Sequence, residues 1–278
     1  MKALDFLYNT IPGRILLRPL ISRPVSDLSG ILLDSGFSRI LIPPFVRSHS
    51  IRLKDYELDN IGSFNDFFCR RIKEGMRVIN RDRDALISPC DGLLSVYDID
   101  ENTELCVKQS RFSIKSLLRD KKLAGHFKGG YAFVFRLCVN HYHRYVYFDS
   151  GSKYADRHIQ GVYHTVQPVA LLKYPVFIEN TRDYSVIDTD HFGRCVQMEV
   201  GAMLVGRIVN EIKSRALVCR GEEKGHFEYG GSTIIVLIPG GRVGLRDDIK
   251  AAVNSSREIP VLMGEEIGKR RKNVVDVS

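Results

Sequence analysis

Near one end of the chain, Gly230-Gly231-Ser232-Thr233 sets a hydroxyl behind two glycines and ahead of an apolar run, Ile234-Ile235-Val236-Leu237-Ile238. A serine so placed can act on its own chain. Its hydroxyl can attack the carbonyl of the preceding peptide bond if that carbonyl is strained, and glycine at 231 removes the side chain that would obstruct the approach. β-Elimination of the resulting ester leaves a dehydroalanine, whose hydrolysis gives a pyruvoyl ketone. Such a ketone is an electron sink made from the chain, doing work that usually falls to a bound cofactor. The same four residues also fit an ordinary turn ahead of a strand, because short Gly/Ser motifs are common.

Acid–base groups lie elsewhere in the chain. Asn140-His141-Tyr142-His143-Arg144-Tyr145-Val146-Tyr147 follows the apolar run Ala132–Val139. If residues 140–147 are extended, His141, His143, Tyr145 and Tyr147 share one face, and Tyr142, Arg144 and Val146 the other. Two histidines beside an arginine and three tyrosines suggest a site. Metal binding is not expected, because no third ligand stands at a matching spacing. Asp91-Gly92, inside Ile87–Val96, reads as strand, turn, strand.

The elements that must position these groups follow from pattern. Residues 1 to about 50 alternate apolar clusters with single arginines, and Pro12, Pro19, Pro24 and Pro43-Pro44 cut them into short helices. Those helices either cap a core or lie on a membrane interface, with arginines reaching headgroups. Ser63 can cap a helix, with Asp66 as an acidic counterpart of the capping box, and Phe64, Phe67 and Phe68 then form a core face. From residue 86 the pattern is β-like. Val196–Ile208 reads as a strand pair punctuated by Gly201 and Gly206, and Ile234–Ile238 as a buried strand.

Composition excludes more than it selects. The chain has 278 residues and a net charge of +8, which admits nucleic acid or an anionic membrane as partner. No nucleic-acid module is recognisable, so nucleic acid is not expected. The basic Lys269-Arg270-Arg271-Lys272 reads as a solvated end. Six scattered cysteines form no C-x-x-C pair and read as free thiols in a reducing compartment. No secretory signal and no spanning helix are expected.

Five motifs occur in a fixed order: Phe64-Asn65-Asp66-Phe67-Phe68, Ser88-Pro89-Cys90-Asp91-Gly92, Tyr142-His143-Arg144, Glu199-Val200-Gly201-Ala202 with Val205-Gly206, and Gly230-Gly231-Ser232-Thr233. Together they closely resemble phosphatidylserine decarboxylase in its shorter bacterial form, from about residue 60 to residue 270. The resemblance implies self-cleavage between Gly231 and Ser232 into a β chain, 1–231, and an α chain, 232–278, which stay associated. It implies a pyruvoyl group on residue 232 that forms a Schiff base with the amine of phosphatidylserine, loses CO2 and yields phosphatidylethanolamine. Asp91 matches the family's aspartate. Many relatives read Tyr-His-Arg-x-His, and here the last position is Val146, so the processing base is expected to be His143, with His141 as the alternative. A histidine base titrating near pH 6.5 would slow cleavage on acidification.

The expected fold is α+β: an N-terminal helical, membrane-facing segment (1–85), then a glycine-rich, mostly antiparallel β core (86–278) into which the first strand of the α chain is inserted. The expected location is the cytoplasmic face of the cell membrane, held peripherally. Two other readings use the same residues: a Ser/His/Asp hydrolase with intact Ser232, or a non-enzymatic module binding anionic lipid. Against the first, Gly-Gly-Ser-Thr lacks the Gly-x-Ser-x-Gly elbow, and a strand follows the serine where a helix would be needed.

Overall fold

Ser232–Ile238 forms a strand buried along its whole length, as a run of branched apolar residues requires. In the computed structural model, which describes residues 2–102, 104–107, 110–203, 207–229 and 232–271, this strand is central. It lies between Gly193–Val200 and Tyr131–Leu137, antiparallel to both. Around them runs a nine-stranded sheet among the described residues, in the order Ala216–Val218, Gly151–Lys153, Arg182–Thr189, Gly193–Val200, Ser232–Ile238, Tyr131–Leu137, Gly92–Asp98, Ile259–Val261, with Arg157–Ile159 added beside Arg182–Thr189. All its pairings are antiparallel, and the α+β expectation holds.

Side-chain alternation sends the central strands to two cores. Ile235 and Leu237 join Val196, Met198, Ala132 and Val134 on one face, where Tyr8 and Leu17 of the N-terminal helices also pack. Ile234, Val236 and Ile238 join Phe133, Phe135 and Cys195 on the other. On that second face lies a three-stranded sheet, Ile208–Asn210, Glu223–Phe227 and Arg144–Val146. It turns Tyr145 and Phe227 toward the large sheet, and Val146 toward a third cluster built on Phe45, Phe64, Phe67 and Phe68. Gly225 permits the close pairing within it, since a Cβ there would lie 2.1 Å from the Val209 carbonyl oxygen.

The N-terminal helices are Lys2–Asn9, Ile11–Leu20, Arg23–Asp34 and Ile42–His49. Most of the prolines open helices rather than closing them: Pro12, Pro24 and Pro43 sit in first turns, where no N–H is needed, and only Pro19 lies inside one. Ser63 caps Phe64–Phe68 through its hydroxyl, 3.0 Å from the Asp66 N–H, while the Asp66 carboxylate reaches back to the Gly62 N–H at 3.1 Å. The three phenylalanines are core.

Three local expectations are corrected. Ala85–Ile87 and Gly92–Asp98 are not a hairpin: the first pairs with Glu266–Arg270, the second with Tyr131–Leu137, in different sheets. Glu199 and Ile208 do not belong to one strand pair, because the large-sheet strand ends at Val200 and Ile208–Asn210 belongs to the small sheet. Residues 140–147 are not extended throughout, since Cys138–His141 closes a turn, with the His141 N–H on the Cys138 carbonyl at 2.8 Å, and only Arg144–Val146 is strand. Gly206 and Lys272 lie outside the described residues, as do Gly230 and Gly231.

Candidate active site

Ser232 opens the central strand opposite Leu137, fully buried, and its Oγ has no hydrogen-bond partner among the described residues. Leaving a buried hydroxyl unpaired costs about 1–3 kcal/mol. A turn serine kept only for structure would not normally be placed so. By alternation its side chain shares the face of Ile234 and Val236, the face covered by the small sheet.

The chain leading to it runs along that small sheet. Phe227 donates its N–H to the His143 carbonyl at 3.0 Å, and Glu228 its N–H to the Arg207 carbonyl at 3.1 Å. Tyr229 donates to Asn65 Oδ1 at 3.1 Å and packs its ring on Phe45, Phe64 and Phe68. His143 stands in the same aromatic nest, its ring centroid 4.2 Å from that of Phe68. The fold thus brings His143 beside the segment that enters Gly230. It does so by strand pairing, which spacing alone did not show.

Hydrogen bonds separate the two histidines. His143 Nδ1 lies 3.0 Å from the His141 carbonyl oxygen. A carbonyl only accepts, so Nδ1 carries the proton and Nε2 keeps its lone pair. That Nε2 is buried and unpartnered among the described residues. His141 is the reverse: its Nδ1 accepts from the Cys138 N–H at 3.1 Å, so in the neutral ring Nε2 bears the proton. His143 has the free basic nitrogen. Burial pushes its pKa down to about 3, against a hydrogen bond to the His141 backbone that works the other way.

Asp91 is bound to neither histidine. Its Oδ1 accepts from Arg77 Nε at 2.7 Å and from the Met263 N–H at 2.9 Å, and its Oδ2 from the second guanidinium nitrogen of Arg77. Its charge is felt at His141, opposing the desolvation that lowers that imidazole. Val146 is buried among aromatic rings.

Glu199 and Lys224 are the chemical residues that sequence reasoning missed. Both are fully buried, joined at 2.6 Å across the gap between the two sheets. Asn210 lies beside them, its Oδ1 3.3 Å from Lys224 Nζ and 3.0 Å from the Tyr145 hydroxyl. Gln197 and Glu199, alternating with Met198 and Val200, were a legible signal of polar groups on one strand face. Lys224 was not legible, because Glu222-Glu223-Lys224 reads as a solvated turn.

A cavity of about 500 Å3 adjoins the Phe227–Tyr229 segment, lined among others by Asn65, Cys69, Arg70, Arg144, Arg207 and Glu228. Arg144 and Arg71 both bind Glu223 there, and Arg207 binds Glu228 at 2.8 Å. Glu211, Glu223 and His226 gather ligand atoms within 4.8 Å of one another, but Glu223 is already met by its two arginines.

The profile of the phosphatidylserine decarboxylase family matches residues 64–269. The chain is 41% identical over 267 residues to phosphatidylserine decarboxylase proenzyme 2 of Clostridium acetobutylicum, covering 96% of this chain and 91% of that protein. It is 39% identical over 272 residues to the phosphatidylserine decarboxylase proenzyme of Ruminiclostridium cellulolyticum, with 96% and 91% covered. The corresponding proenzyme of Clostridium tetani is 38% identical over 274 residues, with 97% and 92% covered.

Proposed function

The chain belongs to the phosphatidylserine decarboxylase family, and from that membership we propose that it decarboxylates phosphatidylserine to phosphatidylethanolamine using a pyruvoyl group made from its own Ser232. The observation that carries the reading is the buried, unpartnered hydroxyl of Ser232 at the head of a central strand. A ketone fits that position, since it needs no donor and lies where the two sheets exclude water. When present, the group supplies the electron sink into which the headgroup's α-carboxylate releases its bonding electrons as CO2 leaves.

His143 takes the Ser232 hydroxyl proton through Nε2 as Oγ attacks the Gly231 carbonyl, and returns it to the departing amide nitrogen. No lasting imidazolium forms, which suits a ring that burial keeps neutral. Asp91, fixed by Arg77 and the Met263 N–H, contributes negative charge near His141. The polar cavity beside Phe227–Tyr229 offers Arg144 and Arg207 to the headgroup's anionic groups and Glu228 to its ammonium. Cleavage divides the protein into 1–231 and 232–278, held together by strand pairing.

The N-terminal helices are the membrane seat. Ile11, Ile15, Ile31, Leu32, Phe37 and Ile40 are exposed, Phe37 at 93%, with Arg14, Arg18 and Arg39 exposed among them. Apolar side chains beside arginines are the pattern of a helix lying in an anionic interface. No helix of the described residues is long and apolar enough to cross a membrane.

Denaturing mass spectrometry of the purified protein tests the reading. A small fragment beginning at residue 232, blocked to Edman sequencing, and CO2 release from carboxyl-labelled phosphatidylserine are expected. Active protein that is uncut, with a free hydroxyl at 232, would refute it and favour the hydrolase.

A further inference from the structure

Maturation of a serine to a ketone makes two different demands on a base. In the acyl shift, the proton leaving Oγ ends on the nitrogen of residue 232, so the base only relays it. In the elimination that follows, a proton leaves Cα of residue 232, its bonding pair forms the Cα=Cβ bond, the Cβ–Oγ bond breaks, and Gly231 departs as a carboxylate. That base must keep its proton. A neutral imidazole as deeply desolvated as His143 is a poor keeper.

We propose that Glu199 is the base that removes the Cα proton of residue 232 in this second stage, and that Lys224 is its positioning residue. The inference rests on the self-cleavage reading above. Three observations carry it. Glu199 pairs directly with Ile234 on the adjacent strand, two residues from Ser232 and on the same face. Such diagonal neighbours lie about 7–8 Å apart at Cα, within reach of a long side chain. Two residues beyond Glu199 comes Gly201, which has no side chain to intervene.

The second observation is the asymmetry of the carboxylate. Oε2 is fixed by Lys224 Nζ at 2.6 Å and approached by Asn210 Nδ2 at 3.4 Å, while Oε1 is buried with no partner among the described residues. One oxygen is held and the other left available, and Ser232 Oγ on the neighbouring strand is likewise unpartnered among the described residues. The third is the failure of a structural explanation. A fully buried ion pair stabilises little once desolvation is counted, and apolar replacement is often neutral. Burial also raises the Glu199 carboxyl, against the pull of Lys224, to about 7, well above an ordinary carboxylate. Hydrolysis of the dehydroalanine then consumes one water, releases ammonia and leaves the ketone, with no oxidant required.

The test is to follow maturation of Glu199→Gln without any decarboxylation assay. The folded variant, incubated in hydroxylamine, should split through the accumulated ester and give a small fragment with a readable N-terminal serine. Blocked fragment should form roughly 10²–10⁴-fold more slowly than in the wild type. His143→Ala should instead resist hydroxylamine. A double variant, Glu199→Leu with Lys224→Met, removes the pair without leaving a buried charge and should stall at the same ester. Wild-type rates of blocked fragment in either Glu199 variant would overturn the proposal, as would Glu199→Gln that is uncut and hydroxylamine-resistant. Wild-type protein that never cleaves would instead sink the self-cleavage reading itself, whatever Glu199 does.

Discussion

At the scale of single residues, the hydrogen-bond partners of the histidines decide more than their spacing. Ser232→Ala should remain one chain of 31.6 kDa on denaturing mass spectrometry. His143→Ala should lose processing and His141→Ala keep it, because only His143 has an unprotonated nitrogen free. Titration follows from burial. The sequence alone suggested that cleavage would slow as an ordinary histidine protonates near pH 6.5. With His143 lowered to about 3, that ring stays neutral at pH 6, so its own titration should leave no inflection there. If Glu199 is the proposed base, the acid limb should be its own instead. It faces Lys224, Asp156 and Asp183, and the carboxylate fraction falls as pH drops through about 7. Pre-steady-state maturation measured from pH 8 to pH 5 should show that limb, and Glu199→Gln should abolish it. Stability has a separate sign. His143, His164 and His226 all have folded pKa values below the unfolded one, so the folded state binds fewer protons between about pH 6.5 and pH 4. The three histidines should therefore lower stability on acidification through that window, by about 1.4 kcal/mol for every tenfold by which burial weakens proton binding at His143, offset in part by Glu199, whose raised carboxyl takes up a proton in the folded state. Denaturant midpoints at pH 7 and pH 5 would measure it.

At the scale of elements, the strand that carries Ser232 is also what would join the two products of the proposed cleavage. Residues 233–237 pair with strands on both sides, and those partners, Gly193–Val200 and Tyr131–Leu137, lie before the proposed cut. The chains should therefore comigrate in native size exclusion and separate only in denaturant. Ile235→Ala, at a site buried between Met198 and Val134, should cost about 2–5 kcal/mol and lower the denaturant concentration at which they part. Unchanged separation would show that other contacts hold the α chain. The cap of the short Phe64–Phe68 helix makes a smaller contribution: Ser63→Ala should cost about 1 kcal/mol.

For the molecule as a whole, charge and exposed apolar surface act together. On the proposed membrane seat, the net charge of +8 should attract anionic lipid at a distance and the exposed N-terminal side chains should then bury apolar area. Binding to anionic vesicles should exceed binding to neutral ones at low salt and weaken as salt screens the electrostatic part, leaving an apolar remainder. Phe37→Ser with Ile40→Ser should reduce that remainder in vesicle sedimentation while leaving self-cleavage intact. Equal binding to neutral and anionic vesicles would remove the contribution of charge.

Local pattern was enough to read the central strand, the serine at its head, the aromatic helix with its serine cap and the switch from helical to β pattern. Each of these is written in neighbouring residues, where composition and period act directly. What depended on distant partners was not legible. Asp91 looked like the orienting group for a histidine, and only the fold reveals Arg77 as its partner. His143 was preferred to His141 for its Tyr-His-Arg context alone, and only the fold assigns their protons differently. Lys224 looked solvated until the small sheet laid it on Glu199. Strand identity is a local property, but which ionisable groups share a dry space is set by sheet order and layer contact. Those are settled only when residues far apart in the chain pack together.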